Sequence, residues 1–337
     1  MNIKKKIEIA LKNVIVNDNK DIIESGFVKK LEILENKDII IYLILPNPTM
    51  HLKNRIKKDI INSINNQIHL EKKISIKIEI QSCLKKTYSI KNIIAVASGK
   101  GGVGKSTIAS NIAISLKKMG FNVGLLDADI HGPSIPLMFN IDIKNISILQ
   151  QNNGLMMPIT VHGIKIFSIG FFLKYGQAIV WRGPMVSKVL MQFFNETYWG
   201  ELDFLIIDLP PGTGDIHLSL LQEISLKGIV IVSTSQKIAI SDVTRTVEMF
   251  RMKSIYVPIL GIIENMSYFF SKEKKYYFFG KCGVKNFSKK MNITFLGEIP
   301  MLQKIQEYTD LGIPAVLEDE KISNIFTDIT NNIINQL

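Results

Sequence analysis

Cysteine is scarce in this sequence. The 337 residues include two cysteines, Cys83 and Cys282, which lie far apart in the chain. So few cysteines exclude a small secreted fold held together by disulfides, and they are typical of a reducing compartment. Long apolar runs are also missing, since no segment approaches the roughly 20 apolar residues that a membrane-spanning helix needs. Glu8 and Lys12 interrupt the stretch that would form the apolar part of a signal peptide, so we expect a cytoplasmic protein.

The sequence also lacks a concentrated basic region, although its net charge at pH 7 is +11. Such a charge usually suggests an acidic partner, such as nucleic acid or a membrane surface. The lysines are instead spread along the chain and rarely alternate with aromatic residues, so we find no platform on which bases would stack. Their abundance, with that of isoleucine and asparagine, is typical of an AT-rich coding sequence. We therefore predict no nucleic-acid and no membrane partner, the net charge being the only feature that favours nucleic acid.

The first 85 residues predict a small α+β domain. Helical patterns cover residues 7–16 and a segment with isoleucine at positions 56, 60, 64 and 68. Strand patterns cover residues 27–34, 38–45 and 74–80. Polar residues then predict a linker over residues 86–91, ahead of a second domain over residues 92–337.

Short apolar runs separated by helical stretches characterise the second domain. They cover residues 93–97, 123–126, 204–207, 229–232 and 259–263. Runs of this length are typical of strands buried on both faces, so we predict an α/β, doubly wound, mostly parallel sheet with helices on each side. Ligands of such sheets bind at the carboxyl ends of the strands.

The first apolar run is followed by a phosphate-binding motif of the form G-x-x-x-x-G-K-[ST]. Its residues are Gly99, Lys100, Gly101, Gly102, Val103, Gly104, Lys105, Ser106 and Thr107. The glycines allow backbone N–H groups to surround phosphate oxygens at a helix N-terminus. We predict that Lys105 reaches the β- and γ-phosphates of ATP and that Ser106 binds Mg²⁺. The alternative, a glycine-rich turn without a ligand, does not explain the flanking strand and helix.

Aspartates end two further apolar runs. Asp208 follows residues 204–207, as in a Walker B strand, and we predict that it holds Mg²⁺ through water or Ser106. Asp127 and Asp129 follow residues 123–126, and either of them alternatively caps the next turn. The loop 209–215, Leu-Pro-Pro-Gly-Thr-Gly-Asp, reads either as a stiff turn or as a switch that senses the γ-phosphate.

The phosphate loop, with its second lysine at position 100, resembles the deviant Walker A loop of the family that contains MinD, ParA, the nitrogenase iron protein and the Mrp/ApbC proteins. Further strings narrow the resemblance to the Mrp/ApbC family of iron–sulfur cluster carrier ATPases. They are DADIHGPS at 127–134, WRGPM at 181–185, DLPPGTGD at 208–215, ENMSY at 264–268 and, more weakly, GEIP at 297–300. The similarity spans residues 92 to 315. The first domain is loosely similar to the small domain often fused ahead of these ATPases.

This resemblance implies roles for several residues. Lys100 would contact the nucleotide of the partner subunit in an ATP-sandwich homodimer, unless it is only a solvated lysine. Asp129 would position the attacking water, with Asp127 in support near the metal. Asn265 would contact adenine, unless it only forms a turn. The resemblance also implies slow, switch-type ATP hydrolysis and exchange of clusters with an assembly scaffold and apo iron–sulfur proteins.

The sequence departs from the family pattern at the cluster ligands. Family members follow the Asn-Met-Ser string with C-x-x-C, so that two subunits supply four thiolates to one bridging cluster. Here Ser271 and Lys274 stand at those positions, and Cys282, where relatives usually have glycine, is the nearby thiol. One cysteine per subunit gives a dimer two thiolates, short of the four that a cubane cluster normally takes. The five histidines show no metal-ligand spacing that compensates.

Three rival interpretations stay open on the sequence. A MinD-like membrane organiser needs a basic amphipathic C-terminal helix, but no Lys or Arg follows Lys321, and the apolar stripe from Ile322 to Leu337 predicts a helix packed on its own domain. A ParA-like DNA partitioner needs a clustered basic face. A degenerate family member would keep ATP switching without binding a cluster.

Overall fold

A computed structural model describes residues 3–17, 20–34, 38–45, 50–67, 76–82, 89–130, 132–143, 155–172, 183–252, 256–272 and 274–337. Its contacts group into two compact units, Met1–Lys86 and Thr87–Leu337. Several residues named above lie outside the described residues, namely Cys83, residues 86–88 of the predicted linker, His131 and Trp181-Arg182. Residues 89–91 of that linker are instead part of a strand, Ser89–Ser98.

The first unit packs two helices against a small sheet. Its elements are α1 (Ile3–Lys12), β1 (Ile15–Asn17), β2 (Lys20–Asp21), β3 (Val28–Ile33), β4 (Ile39–Leu45), α2 (Met50–Gln67) and β5 (Ile76–Ser82). The sheet order is β3-β4-β5, with β3 antiparallel and β5 parallel to β4. The isoleucines at spacing four are buried at positions 56, 60 and 64.

The first helix differs from its predicted bounds. We expected residues 7–16, but α1 ends at Lys12, and β1 begins at Ile15. The run Val14-Ile15-Val16 is β-branched and favours extended backbone, while the turn before it is closed by hydrogen bonds from Asn13 N to Ala10 O and from Val14 N to Leu11 O.

The second unit alternates strands and helices. In chain order they are β6 (Ser89–Ser98), α3 (Lys105–Lys118), β7 (Val123–Asp127), α4 (Ile135–Met138), β8 (Ile159–Val161), β9 (Ile164–Ser168), α5 (Gly183–Glu196), β10 (Glu201–Asp208), α6 (Asp215–Glu223), β11 (Gly228–Ser233), α7 (Lys237–Arg251), β12 (Ile259–Glu264), β13 (Phe269–Ser271), β14 (Lys274–Tyr276), α8 (Gly283–Met291), β15 (Phe295–Glu298), α9 (Gln303–Asp310) and α10 (Glu320–Ile334).

Eight of these strands form one sheet in the order β15-β12-β11-β6-β10-β7-β9-β8. All neighbouring pairs are parallel except β8 and β9, so the predicted α/β fold with a mostly parallel sheet is confirmed. Alternate residues of β6 enter different cores, Ala95 and Ala97 on one side and Ile94 and Val96 on the other. Each of the five predicted apolar runs lies within a strand of this sheet.

The C-terminal helix α10 packs on its own domain, as its apolar stripe predicts. Ile322, Phe326, Ile329 and Ile333 are buried in one of the two cores. Asp319 caps the helix by accepting a hydrogen bond from Ile322 N at 3.0 Å. None of the helices in the described part of the chain has the length and apolar character that crossing a membrane requires.

Candidate functional site

The phosphate loop joins the end of β6 to the first residue of α3. Gly102 and Gly104 have φ angles of 79° and 82°, a left-handed backbone that glycine adopts without strain. Gly99 has a different reason to be glycine, because a Cβ there would lie 2.6 Å from backbone atoms of Asp242 and Val243. The loop therefore has the turned backbone that an anion-binding loop at a helix N-terminus requires.

Neighbouring segments hold the loop in place. Ser98 Oγ donates a hydrogen bond to Lys100 O at 3.0 Å, and Asn265 Nδ2 donates one to Val103 O at 2.8 Å. Asn265, the predicted adenine contact, thus lies at the phosphate loop and holds its backbone by a hydrogen bond. Its assignment to adenine stays a prediction.

Lys105 is the buried cation of the site, with 6% of its surface exposed. Its Nζ lies 2.5 Å from Asp208 Oδ1, 3.5 Å from Asp129 Oδ2 and 3.2 Å from Ser106 Oγ. The residues that we assigned to phosphate binding, magnesium binding and water positioning therefore meet around one ammonium group. A cleft of about 200 Å³ opens beside them and is lined by the loop, Asp129 and Pro211 among others.

Two carboxylate oxygens at this site are buried without a hydrogen-bond partner in the described structure, Asp208 Oδ2 and Asp129 Oδ1. Burial raises the pKa of Asp208, while the charge and hydrogen bond of Lys105 oppose the shift. Burying an acceptor oxygen without a hydrogen-bond partner costs free energy, so these two oxygens are suited to contact a cation or water. Mg²⁺ in phosphate sites is held by one or two protein oxygens plus substrate phosphates, so Ser106 and Asp208 fit it.

Asp127 is fully buried, and both of its oxygens have partners. Oδ1 accepts the backbone N–H of Asp129 at 3.1 Å, and Oδ2 accepts Ser168 Oγ at 2.8 Å and Ile135 N at 3.3 Å. Burial, and then the nearby charge of Asp208, raises the pKa of Asp127 to about 8. These contacts hold the backbone that carries Asp129 and the start of α4, while the predicted supporting role of Asp127 stays a prediction. Direct contact of Asp127 with the metal stays a prediction.

The loop after Asp208 is tied to the central strand β6. Leu209 N donates to Val96 O at 3.1 Å, and Gly212 N donates to Ser98 O at 2.9 Å. The ring of His217 is buried, and its Nε2 lies 2.8 Å from Pro210 O. Burial lowers the pKa of His217, which favours the neutral ring. The loop is thus a defined structure that contacts the residue preceding the phosphate loop.

Lys100, the second lysine of the loop, is half-buried, and its Nζ donates a hydrogen bond to Gln236 Oε1 at 3.1 Å. The sequence motifs do not indicate Gln236 or Ser168, although Gln236 follows the buried strand β11 and Ser168 ends the strand β9. The rule that polar residues at carboxyl ends of parallel strands gather at one edge would have found both.

The positions that replace the C-x-x-C motif lie in an exposed hairpin. Ser271 on β13 pairs with Lys274 on β14. Cys282 is half-buried at the N-cap of α8, with a φ of 56°, a region that favours glycine. In the part of the chain that the structure describes, no group of three or more His, Cys, Asp or Glu side chains is arranged to hold a metal ion.

Comparisons with known proteins identify relatives of both units. Residues 89–334 match the family model of NUBPL iron-transfer P-loop NTPases, and residues 4–78 match the model of an iron-sulfur cluster assembly protein. The iron-sulfur cluster carrier protein of Aquifex aeolicus is 45% identical over 250 residues, covering 73% of this chain and 68% of that protein. The iron-sulfur cluster transfer protein NUBPL of Dictyostelium discoideum is 48% identical over 253 residues, covering 74% and 77%.

Solved structures show the same fold. A nucleotide-binding protein from Archaeoglobus fulgidus, in complex with ADP, has a TM-score of 0.60 at 36% identity and covers 70% of this chain and 92% of its own. The septum site-determining protein MinD of Pyrococcus horikoshii, complexed with Mg-ADP, has a TM-score of 0.52 at 24% identity and covers 73% and 96%. The second likeness concerns the fold alone.

Proposed function

Because this chain belongs to the family of NUBPL iron-transfer P-loop NTPases, as its motifs predicted, we propose that it is an ATP-hydrolysing homodimer that carries iron–sulfur clusters to apoproteins. The proposed ATPase activity is supported by one observation. Lys105, Ser106, Asp129 and Asp208 lie together beside the glycine loop. The cargo half is supported by the names of the relatives, iron-sulfur cluster carrier and transfer proteins.

ATP binding would use the loop and its buried lysine. Backbone N–H groups of the loop bind phosphate oxygens, and Lys105 binds the β- and γ-phosphates. These phosphates compete with Asp208 and Asp129 for the ammonium group, which both carboxylates contact in the structure. Binding therefore releases the two carboxylates for their catalytic tasks. Mg²⁺, held by Ser106 and Asp208, would neutralise part of the phosphate charge.

Hydrolysis would depend on Asp129 and on the loop after Asp208. Asp129 Oδ1 has no partner in the described structure, so it is free to accept a hydrogen bond from the attacking water. Loss of the γ-phosphate then changes the contacts of loop 209–215, which two hydrogen bonds connect to β6. This change would switch the dimer between two arrangements.

The role of Lys100 across the dimer is tested by Lys100→Ala. We expect ATP-dependent dimerisation to weaken by about tenfold or more, the cost of losing one charged hydrogen bond, while nucleotide binding by one subunit changes little. Within its own subunit the Lys100 ammonium group donates a hydrogen bond to Gln236 Oε1, which is outside the predicted site. Light scattering with a non-hydrolysable ATP analogue measures the dimer.

Lys237→Ala is the matched control, since Lys237 begins the helix next to Gln236. It should dimerise like the parent. If Lys100→Ala also dimerises like the parent at every nucleotide concentration, Lys100 is only a solvated loop residue.

The cargo is tested by comparing the parent with Cys282→Ser after anaerobic reconstitution with iron and sulfide. We expect a labile cluster whose iron content falls to background in Cys282→Ser, because soft thiolates are the usual ligands and Lys274 must lose a proton before it coordinates. Two Cys282 thiolates would be completed by small-molecule thiols or by the recipient protein. Iron content per dimer and transfer to a generic apo-ferredoxin are the measurements.

Two outcomes would count against this ligand assignment. Stable four-iron binding that persists in Cys282→Ser would show that other residues ligate the cluster. A parent that takes up no iron would favour the second candidate function, a family ATPase without the cargo, for which the observation is the presence of Ser271 and Lys274 at the usual ligand positions.

A further inference from the structure

Two pairs of adjacent residues connect the phosphate loop to the turn that carries Cys282. Ser235 and Gln236 follow β11, while Glu264 and Asn265 stand at the end of β12. Gln236 and Asn265 contact the phosphate loop, whereas Ser235 contacts the turn and Glu264 contacts Ser235. None of these four contacts has a part in phosphate, magnesium or water binding as described above.

On the side of the turn, Ser235 is the central residue. Its Oγ donates to Glu264 Oε1 at 2.6 Å and accepts the backbone N–H groups of Gly283 at 2.8 Å and Val284 at 3.2 Å. The packing is close, because a Cβ on Gly283 would lie 2.7 Å from Ser235 O. Since Cys282 directly precedes Gly283, this hydroxyl fixes the backbone position of the thiol-bearing turn.

On the side of the nucleotide, the neighbours make the contacts. Gln236 Oε1 accepts Lys100 Nζ at 3.1 Å, and Asn265 Nδ2 donates to Val103 O at 2.8 Å. A Cβ on Gly104 would overlap the Asn265 amide, so the loop and this amide are also closely packed. Any rearrangement of Lys100 or of the loop backbone therefore acts directly on Gln236 and Asn265.

The two strand ends are joined to each other by the sheet. Asn265 N donates to Ser233 O at 2.8 Å, and Ser233 pairs with Glu264 in the parallel ladder. We propose that Ser235 and Glu264 are positioning residues that transmit nucleotide binding at the phosphate loop to the turn 280–283 and its cysteine. This inference rests on the ATP binding proposed above and adds a physical connection between that site and the thiol.

The experiment measures alkylation of Cys282 by iodoacetamide in the full chain, followed by mass spectrometry of the Cys282 peptide. In the parent, a non-hydrolysable ATP analogue with Mg²⁺ should change the alkylation rate by about fivefold or more, the lower end of ordinary coupling between sites. In Ser235→Ala the ratio of the two rates should fall to about one, while nucleotide affinity measured by calorimetry stays within a few-fold of the parent.

Variants of Glu264 separate the hydrogen bond from the packing. Glu264→Gln keeps an acceptor for the Ser235 hydroxyl and should retain the nucleotide effect, whereas Glu264→Met keeps the length without an acceptor and should lose it. Ser288→Ala is the matched control, since Ser288 is also buried but its hydroxyl donates to Lys285 O within α8. It should behave like the parent.

The outcomes are distinct. Shielding of Cys282 by a partner subunit would persist in Ser235→Ala, so a retained nucleotide effect in that variant overturns the inference. A parent that binds the analogue without any change in alkylation overturns it as well, and leaves the proposed ATPase intact. A parent that binds no analogue overturns both.

Discussion

Lys105→Ala should abolish productive MgATP binding. The lysine supplies the point charge for the β- and γ-phosphates, and each charge-assisted hydrogen bond lost costs about 1.5–3 kcal/mol. Two such bonds lower the affinity by about 100-fold or more. Isothermal titration calorimetry with an ATP analogue and Mg²⁺ measures the effect.

The burial of Lys105 demands a stability control in this experiment. Its ammonium group pairs with Asp208 and Asp129, and removing one partner of a buried ion pair costs about 3–5 kcal/mol of stability. Circular dichroism must therefore show that the variant is folded at the assay temperature. Lys105→Ala/Asp208→Asn, which also removes the uncompensated charge, should recover stability but not ATP binding.

Lys118→Ala is the matched control on the same helix. Lys118 Nζ donates to Val316 O at 3.1 Å and Ser323 Oγ at 2.7 Å, at the far end of α3 from the phosphate loop. Its loss should leave ATP affinity unchanged. A folded Lys105→Ala protein with parental affinity would contradict the assignment of the phosphate loop.

The five strands that contain the apolar runs, and the phosphate loop, could be predicted from the sequence because their signals are local. An apolar run such as 229–232 needs no knowledge of its neighbours to be identified as a buried strand. The positive φ angles of Gly102 and Gly104 likewise follow from the requirements of the turn itself.

The grouping of the carboxylates around Lys105 could not be predicted in detail because it depends on strand order. β10 lies between β6 and β7, and the register pairs Asp208 with Asp127. Nothing local in the sequence states that a strand starting at residue 201 inserts beside the strand of the phosphate loop. The partners Ser168 and Gln236 depend on the same order.

Three short strands of the sheet were also missed, β8 and β15 at its two edges and β9 next to β8. β8 and β15 have three and four residues, too few to show an alternation that distinguishes a strand from a loop. β9 has five residues and was not identified either. β1 was taken as the end of a helix for a related reason, since three residues contain less than one period of either pattern. Tertiary pairing, not local preference, defines these elements.

Asp129→Asn should retain ATP binding and hydrolyse ATP about 100-fold more slowly, the lower end of what a positioned acid or base contributes. The side chain keeps its size, so the phosphate cradle is preserved. Its Oδ1, buried without a partner, loses the charge that orients the attacking water. Single-turnover hydrolysis and calorimetry on the same sample separate the catalytic effect from binding.

Two aspartates of β10 serve as comparisons for Asp129. Asp208→Asn should instead weaken the dependence of activity on Mg²⁺ concentration, because Asp208 is the predicted magnesium ligand. Asp203→Asn, which removes an exposed pair with Lys91 near the start of the strand, should hydrolyse ATP like the parent. If Asp129→Asn turns over ATP at the parental rate, the water is positioned by another residue, and the free oxygen of Asp129 serves some purpose other than hydrolysis.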